Sequence, residues 1–373
     1  MNVIWFSGRQ INDLCATTQK SLVAGLIKKG HSVKFVNPDI AGSHAEYPWD
    51  HHGLPTNAIP GFKSMAISRK MVNWIKHHGI MKETIAILDW RVAGKLAPIL
   101  DRMEVPWILM DRSPPADGNI LSRFQWYFWK RSWRLVKQHS NGTGCVVSSA
   151  HKEFVAQKIG LSDGKMVVIP AGVDTEMFLN GKKSGQLQLG YHGKIDANRN
   201  IAQIIEIHSR LNELGLEANL NLHGSGNAVK ELIRSHSDKV TITQPLDTTT
   251  LSEKLSSYDI GFLPMTDQKV WRLASPLKRS EYLASGMIIV GVDHTGHRID
   301  DSGEWLHLCK EENFIQQAVK FIASLDVAKL RELQNEARLF AELNLDWSPI
   351  VDRLSNLIIT QSSKHSDTQN DNY

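Results

Sequence analysis

The sequence predicts an α/β protein of two doubly wound parallel domains, and three observations carry that expectation. Short apolar runs alternate with helical patterns of roughly 10–15 residues, which is the signature of βαβ units. The alternation restarts after GKKSGQ, residues 181–186, a stretch with the composition of a linker. The chain has 373 residues, enough for two domains at roughly 100–200 residues each.

The elements follow in order. VIWFS is a first strand, followed by Gly8 and a helix over about 11–29 that stops at Gly30, a C-cap position. HSVKFVN is the second strand. Residues 40–62 are irregular and rich in Pro, Gly and His, and a loop of that length in a compact domain is usually functional or mobile. TIAILDW is a strand with a helix behind it at 92–103, and PWILMD is another strand, ending in DRSPPADG. A long aromatic-basic helix covers 119–138, TGCVVSS is a strand, a helix covers 150–159, and MVVIPAG follows. After the linker come the strand LQLGYHG, a helix at 199–214 ending at Gly215, ANLNLHG, a helix at 226–236, KVTIT, a helix at 248–256, DIGFLP, the segment SPLKRSEYLASG and the strand MIIVGVD. Residues 311–359 read as helical with a break near Pro349, and 361–373 read as a polar, disordered tail.

Composition excludes several classes. Hydrophobic content of 42% and charged content of 22% are those of an ordinary globular protein, and a net charge of +4 does not imply a nucleic-acid binder. Cys15, Cys145 and Cys309 are scattered, with no metal or disulfide spacing, so a reducing cytoplasm is expected. The N-terminus has no signal-peptide pattern, and no run of about 18 apolar residues suggests a membrane span. His44, His51 and His52 match no standard metal site. Asn141-Gly142-Thr143 matches a glycosylation acceptor, read here as chance.

In doubly wound sheets ligands bind at the carboxyl ends of the strands. In the second half those ends carry His192-Gly193-Lys194 with Arg199 five residues on, then HGSG at 223–226, then Met265-Thr266. Gly193, Gly224 and Gly226, with Ser225 between the last two, allow close backbone approach to a ligand. Lys194 and Arg199 are cations suited to a diphosphate. Ser275 reads as an N-cap and Pro276 as the first residue of a helix that continues through Leu277 and Lys278. Such a helix points free N–H groups and a positive dipole end at the rim, where an anion is held. Glu281 lies about a turn and a half inside, where its carboxylate can accept hydrogen bonds from the two hydroxyls of a ribose. The competing reading makes Glu281 and Lys278 a surface pair worth about 0.2–0.5 kcal/mol.

At this point the chain resembles a GT-B glycosyltransferase, specifically family 4 of the retaining enzymes. The likeness covers nearly the whole chain. CVVSSAHKEFVAQKIGLSDGKMVVIPAGVDTEMF is similar to that family's serine-ended strand, helix and "IPNGVD" hinge, and SPLKRSEYLASGMIIVGVD resembles its "PLKxxEYMAxGxPVV" segment. LGYHGKIDANRNI resembles the phosphate loop, LHGSG a "GxG" turn, and KSLVAGLIKKGHSVKFV the first helix and second strand. The resemblance implies two facing Rossmann-like domains with a cleft between them and a C-terminal helix that crosses back. Residues 1–170 would bind the acceptor, 171–186 form the hinge, 187–343 bind the nucleotide sugar, and 344–360 return to the N-terminal domain. It implies a hexosyltransferase that takes a UDP- or GDP-linked sugar to a glycan or lipid-linked acceptor with retention of configuration. Lys194 and Arg199 would neutralise the departing diphosphate, a step that needs neither metal nor cofactor. Gly8 and Arg9 would lie in the loop facing the donor.

Two positions depart from the pattern. Leu273 stands where the family often has a second glutamate, eight residues before Glu281. Asp111-Arg112 stands where it often has a histidine, which makes Asp111 the candidate for orienting the acceptor or the transferred sugar, with Asp89 next. A strand-end aspartate also serves simply to cap a turn. Leu273 keeps open a degenerate protein that binds nucleotide or glycan without turnover. A sugar-nucleotide epimerase of the same fold is a further alternative.

RFQWYFWKRSWRLVK, residues 123–137, carries five cations and no acid among its aromatics. Cations and rings at helical spacing suit a membrane interface. Arg123, Trp126, Trp129, Lys130, Arg131 and Trp133 are the expected contacts, at the inner face of the membrane. The competing reading packs one aromatic face into the N-terminal core and leaves the cations solvated.

Overall fold

A computed structural model describes residues 1–11, 17–40, 47–58, 62–81, 83–115, 120–181, 183, 185–236 and 240–370; for 120–122, 236 and 364–370 it describes the backbone. The readings for Cys15 and His44, and parts of the long loop and linker, lie outside these residues. The chain divides into two compact units, Met1–Pro170 with Trp347–Tyr373, and Ala171–Asp346.

Unit 1 runs β1 (Asn2–Phe6), α1 (Thr17–Lys28), β2 (Ser32–Asn37), β3 (Asp50–Gly53), α2 (Lys63–His78), β4 (Thr84–Asp89), α3 (Trp90–Arg102), β5 (Trp107–Met110), α4 (Ile120–Gln138), β6 (Gly142–Val146), α5 (Ser149–Ile159) and β7 (Met166–Val168). The strands form one parallel sheet in the order β3-β2-β1-β4-β5-β6-β7. Alternation along the strands sorts their side chains to two faces. Ile4, Phe6, Ala86, Leu88, Trp107 and Leu109 pack beneath α2, α3, α4 and α5. Val3, Trp5, Ile85, Ile87 and Ile108 pack beneath α1 and a helix from the end of the chain.

Two elements of unit 1 have no counterpart in the sequence reading. One is α2, whose buried Ile67, Met71, Trp74 and Ile75 recur at helical spacing. The other is β3, a four-residue edge strand with no apolar alternation, held by pairing with β2.

The structure corrects the expected membrane contacts on α4. Trp129 and Trp133 are fully buried, and Trp126 is half-buried against Trp129 and Phe154. Both buried indoles donate to Asp111 Oδ2, at 2.5 Å from Trp129 Nε1 and 2.9 Å from Trp133 Nε1. Sealing a carboxylate this way satisfies two ring N–H groups that have no water to bond.

Unit 2 runs β8 (Leu187–Lys194), α6 (Ile201–Glu213), β9 (Ala218–Ser225), α7 (Val229–His236), β10 (Thr241–Thr243), α8 (Thr248–Leu255), β11 (Ile260–Leu263), α9 (Lys269–Arg272), α10 (Leu277–Ala284), β12 (Ile288–Val292), β13 (Leu306–Cys309), α11 (Phe314–Ala323) and α12 (Val327–Asn344). Its parallel sheet has the order β10-β9-β8-β11-β12-β13. The strand order therefore reverses between β8 and β11, the topological switch point where ligands bind in such sheets. The two ends of this unit lie side by side: Val173 bridges Asp346, whose carboxylate accepts from the Thr175 hydroxyl at 2.7 Å.

The last helix, α13 (Trp347–Asn370), belongs to unit 1. Its Ile350, Val351, Leu354 and Ile358 are buried in the same cluster as Leu22, Val23 and Leu26 of α1. Pro349 causes no break, because it sits in the first turn, where its missing N–H has no helical partner to lose. The breaks fall before α12, at Asp326, and before α13, at Asp346. Nor does the chain become disordered at 361, since α13 runs on to Asn370. Gln361 is buried there, accepting from the Thr143 hydroxyl at 2.8 Å and donating to Asn141 O at 3.0 Å. Among the described residues no helix is long and apolar enough to cross a membrane.

Candidate functional site

The carboxyl rim of the unit 2 sheet collects the chemistry. At the end of β8, the His192 N–H donates to the Tyr282 hydroxyl at 3.1 Å, and His192 Nε2 lies 3.0 Å from Glu281 Oε2. Gly193 follows with φ +117°, a value that L side chains rarely adopt. A Cβ there would meet Lys278 Nζ at 3.0 Å. Lys194 is exposed. Arg199 is half-buried, with its guanidinium 4.0 Å over the Trp271 ring, and burial lowers its pKa.

On the other side of the switch point, α10 brings Lys278 and Glu281. Lys278 Nζ sits 4.1 Å over the Tyr191 ring and is buried without a hydrogen-bond partner. Burial pushes its pKa down to about 7, and the Arg199 charge adds to the effect while Glu281 opposes it. A sealed ammonium with no hydrogen-bond acceptor, beside the Arg199 charge, is an incomplete arrangement, and an anion would complete it. The N-terminus of α10 is equally incomplete: its N-cap is Pro276, and no side chain caps it. Ser275 is therefore not the N-cap that its position suggested; its hydroxyl accepts from the Ala171 N–H at 3.3 Å. Leu277, the first residue of α10, is half-buried.

Gly224 and Gly226 have a structural reason of their own. A Cβ at either would run into a backbone carbonyl, that of Gly193 at 1.9 Å or of Ile195 at 2.2 Å. Ser225, paired with Lys194 in the sheet, is half-buried between them. Leu273 is buried and presents no polar group to the rim. The groups that sequence reasoning missed are Trp271, Tyr191, Tyr282 and Arg279. Arg279 is buried and donates to the carbonyls of Gly296, His297 and Arg298, fixing the loop after β12. Only its neighbour Lys278 carried a signal in the sequence.

A second hollow lies away from the rim. A polar groove of about 750 Å³, lined by Gln188, His208, Asn212 and Thr241 among others, lies at the amino ends of β8, β9 and β10. Among its described lining residues are no Lys or Arg, whereas the rim brings Lys278 and Arg199 together.

The remaining candidates lie on unit 1. Gly8 follows β1 and faces the Arg91 side chain, where a Cβ would approach at 2.9 Å. The Arg9 N–H donates to Ser7 Oγ at 3.2 Å. Asp89 caps α3 and pairs with Arg91 at 3.1 Å. Asp111 is fully buried; besides the two indoles it has His151 Nε2 at 3.2 Å. That burial corrects the expectation that Asp111 orients an acceptor, because no carboxylate oxygen reaches the surface. Among the described residues no group of three or more His, Cys, Asp or Glu is arranged to hold a metal.

Comparison with known proteins identifies the fold. The chain superposes on sucrose-phosphate synthase from Thermosynechococcus elongatus with a TM-score of 0.74, at 14% identity, covering 98% of this chain and 100% of that one. The fold is GT-B. Other GT-B matches include a glycosyltransferase from Rickettsia africae (TM-score 0.71, 13% identity, 96% and 98% covered) and HepE from Anabaena in complex with UDP (TM-score 0.68, 13% identity, 96% and 100% covered). Residues 16–177 match the model of Glycosyltransferase Family 4. A comparison with curated proteins gives no match. The GT-B architecture read from the motifs is thus borne out as the fold of the chain.

Proposed function

We propose that the protein is a glycosyltransferase that takes a sugar from a nucleotide-diphosphate sugar to a glycan or lipid-linked acceptor, with retention of configuration. Unit 2 holds the donor and unit 1 receives the acceptor. The observation that carries this reading is the buried, partnerless Lys278 Nζ beside Arg199 and the uncapped start of α10. These groups suit a diphosphate, and Glu281 a turn further on suits a ribose. Arg199, held over the Trp271 ring, needs little reorganisation as negative charge grows on the leaving diphosphate, and exposed Lys194 adds a second cation. The retaining course rests on the likeness to family 4. The UDP bound by HepE makes UDP the first nucleotide to test.

Calorimetric titration with UDP, GDP and ADP tests the reading. One of them is expected to bind at micromolar affinity, and Glu281→Ala to weaken it about tenfold by removing a charged hydrogen-bond acceptor. Binding of none of the three overturns the donor site, and unchanged affinity in the variant removes Glu281 from it. Arg199→Ala is expected to lower turnover by roughly a hundredfold while changing donor affinity far less, as for a group that acts on transition-state charge. A full rate at saturating donor overturns that role. The buried Leu273 favours a second reading, nucleotide binding without transfer; tight nucleotide binding with no product from any sugar donor would establish it.

A further inference from the structure

The helices on one face of the unit 1 sheet are strongly and unevenly charged. α2 carries four Lys/Arg and no acid, and α4 carries five and none. α3 carries three against one acid, and α5 two against one. That makes fourteen cations against two acids on four neighbouring helices, in a chain whose totals are 43 and 39. Among the described residues, only Arg91 and Lys152 of these cations are ion-paired. Lys70, Arg102, Arg131 and Lys137 donate instead to backbone carbonyls, which leave their charge uncompensated.

Large apolar side chains stand exposed on the same face. Phe62 and Phe124 are each 61% exposed and Tyr127 is 56% exposed. Phe62 immediately precedes α2, and Phe124 and Tyr127 lie in the N-terminal half of α4. In a parallel sheet the helix after each strand starts at the carboxyl rim, so these side chains flank the rim end of this face. Tyr127, Arg131, Arg134 and Gln138 also line a groove of about 250 Å³ along α4.

We infer that this face of unit 1, from α2 to α5, docks on an anionic lipid surface, with Phe62, Phe124 and Tyr127 entering the headgroup layer and the cations facing lipid phosphates. Cations with exposed aromatics are the chemistry of interfacial binding, whereas a soluble polyanion calls for no exposed phenylalanines at the edge of the patch. The buried tryptophans of α4 take no part. This inference concerns the surface of unit 1 and does not depend on the donor site.

The test is co-sedimentation with phosphatidylcholine vesicles, with and without about one third phosphatidylglycerol, from about 0.1 M to about 0.5 M salt. The full chain is expected to sediment with anionic vesicles only, and less as salt rises. Arg123→Glu with Arg131→Glu and Arg134→Glu is expected to cut partitioning by at least a hundredfold, at roughly fivefold per lost cation. Phe124→Ser with Tyr127→Ser is expected to cut it about tenfold at every salt concentration. Thermal melts and the nucleotide titration should match the parent chain in both variants, which shows that they fold. Equal sedimentation with neutral vesicles, none with either, or full retention by the triple variant overturns the inference. Tight binding of a single-stranded RNA with no vesicle binding also overturns it, in favour of a nucleic-acid face.

Discussion

Asp111→Ala is expected to destabilise unit 1 by about 3–5 kcal/mol, the cost of breaking a buried charged network from one side. The carboxylate collects Trp129 Nε1, Trp133 Nε1, the Ser113 N–H at 3.2 Å and His151 Nε2 in a site closed to water. Alanine leaves two indole N–H groups and an imidazole without their acceptor. Burial alone would raise the Asp111 pKa, but the His151 charge and the donors outweigh it, so the group lies below the ordinary carboxylate range. For a carboxylate depressed by folding, the stabilisation is present above its unfolded value, near pH 3.9, and is lost as pH falls through the folded one. Urea unfolding at neutral and acid pH measures both effects. A variant with parental stability and lost turnover would instead put Asp111 at the acceptor.

Lys278→Met is expected to move affinity and stability in opposite directions. Nucleotide-diphosphate affinity should fall by roughly a hundredfold, because the buried cation best placed for phosphate is gone. The unliganded chain should become more stable by about 1–3 kcal/mol, since an unpaired buried polar group is replaced by an apolar side chain of similar length. The pH dependence separates this from ordinary repacking. With the Lys278 pKa held near 7 in the folded chain and about 10.4 when unfolded, the unfolded chain binds more protons between those values. The gain from methionine is therefore largest below pH 7 and fades towards pH 10. In the parent chain, nucleotide affinity should fall as pH rises above about 7 and Lys278 loses its proton. Calorimetry and thermal melts at about pH 6 and about pH 9 check both trends; a pH-independent gain or an unchanged affinity would remove Lys278 from the site.

The sequence was most informative where period and end signals agreed. The strands of both sheets, β3 and β13 apart, were legible because buried parallel strands are short, continuous apolar runs bounded by turn residues. β3 was not, since DHHG is made into a strand by its neighbour's free edge rather than by its own pattern. α2 has Ile67, Met71, Trp74 and Ile75 at helical spacing, but its start carries no capping signal, since Phe62 is its N-cap and no side chain caps it. At the candidate site, Glu281, Lys278, Lys194 and Arg199 were visible as charges after strand ends. Trp271 and Tyr191 were not, because an aromatic under a cation is indistinguishable in sequence from an aromatic in a core. The tryptophans of α4 show the same limit from the other side: an aromatic ring serves a core or an interface alike, and only the position of Asp111 at the end of β5 beneath α4 decides between them.

The place of α13 bears on the order in which the chain can fold during synthesis. Residues 171–346 form a unit with both of its ends tied together by Val173 and Asp346. Unit 1 begins first but lacks part of its cover on one sheet face until Ile350, Val351, Leu354 and Ile358 have been made. The nascent first 170 residues thus wait, with Val3, Trp5 and Ile87 lacking the cover of α13, while the segment that follows them is translated and closes. In this chain the middle can finish before the beginning, and a fragment that stops at the unit boundary keeps an open apolar face that invites aggregation.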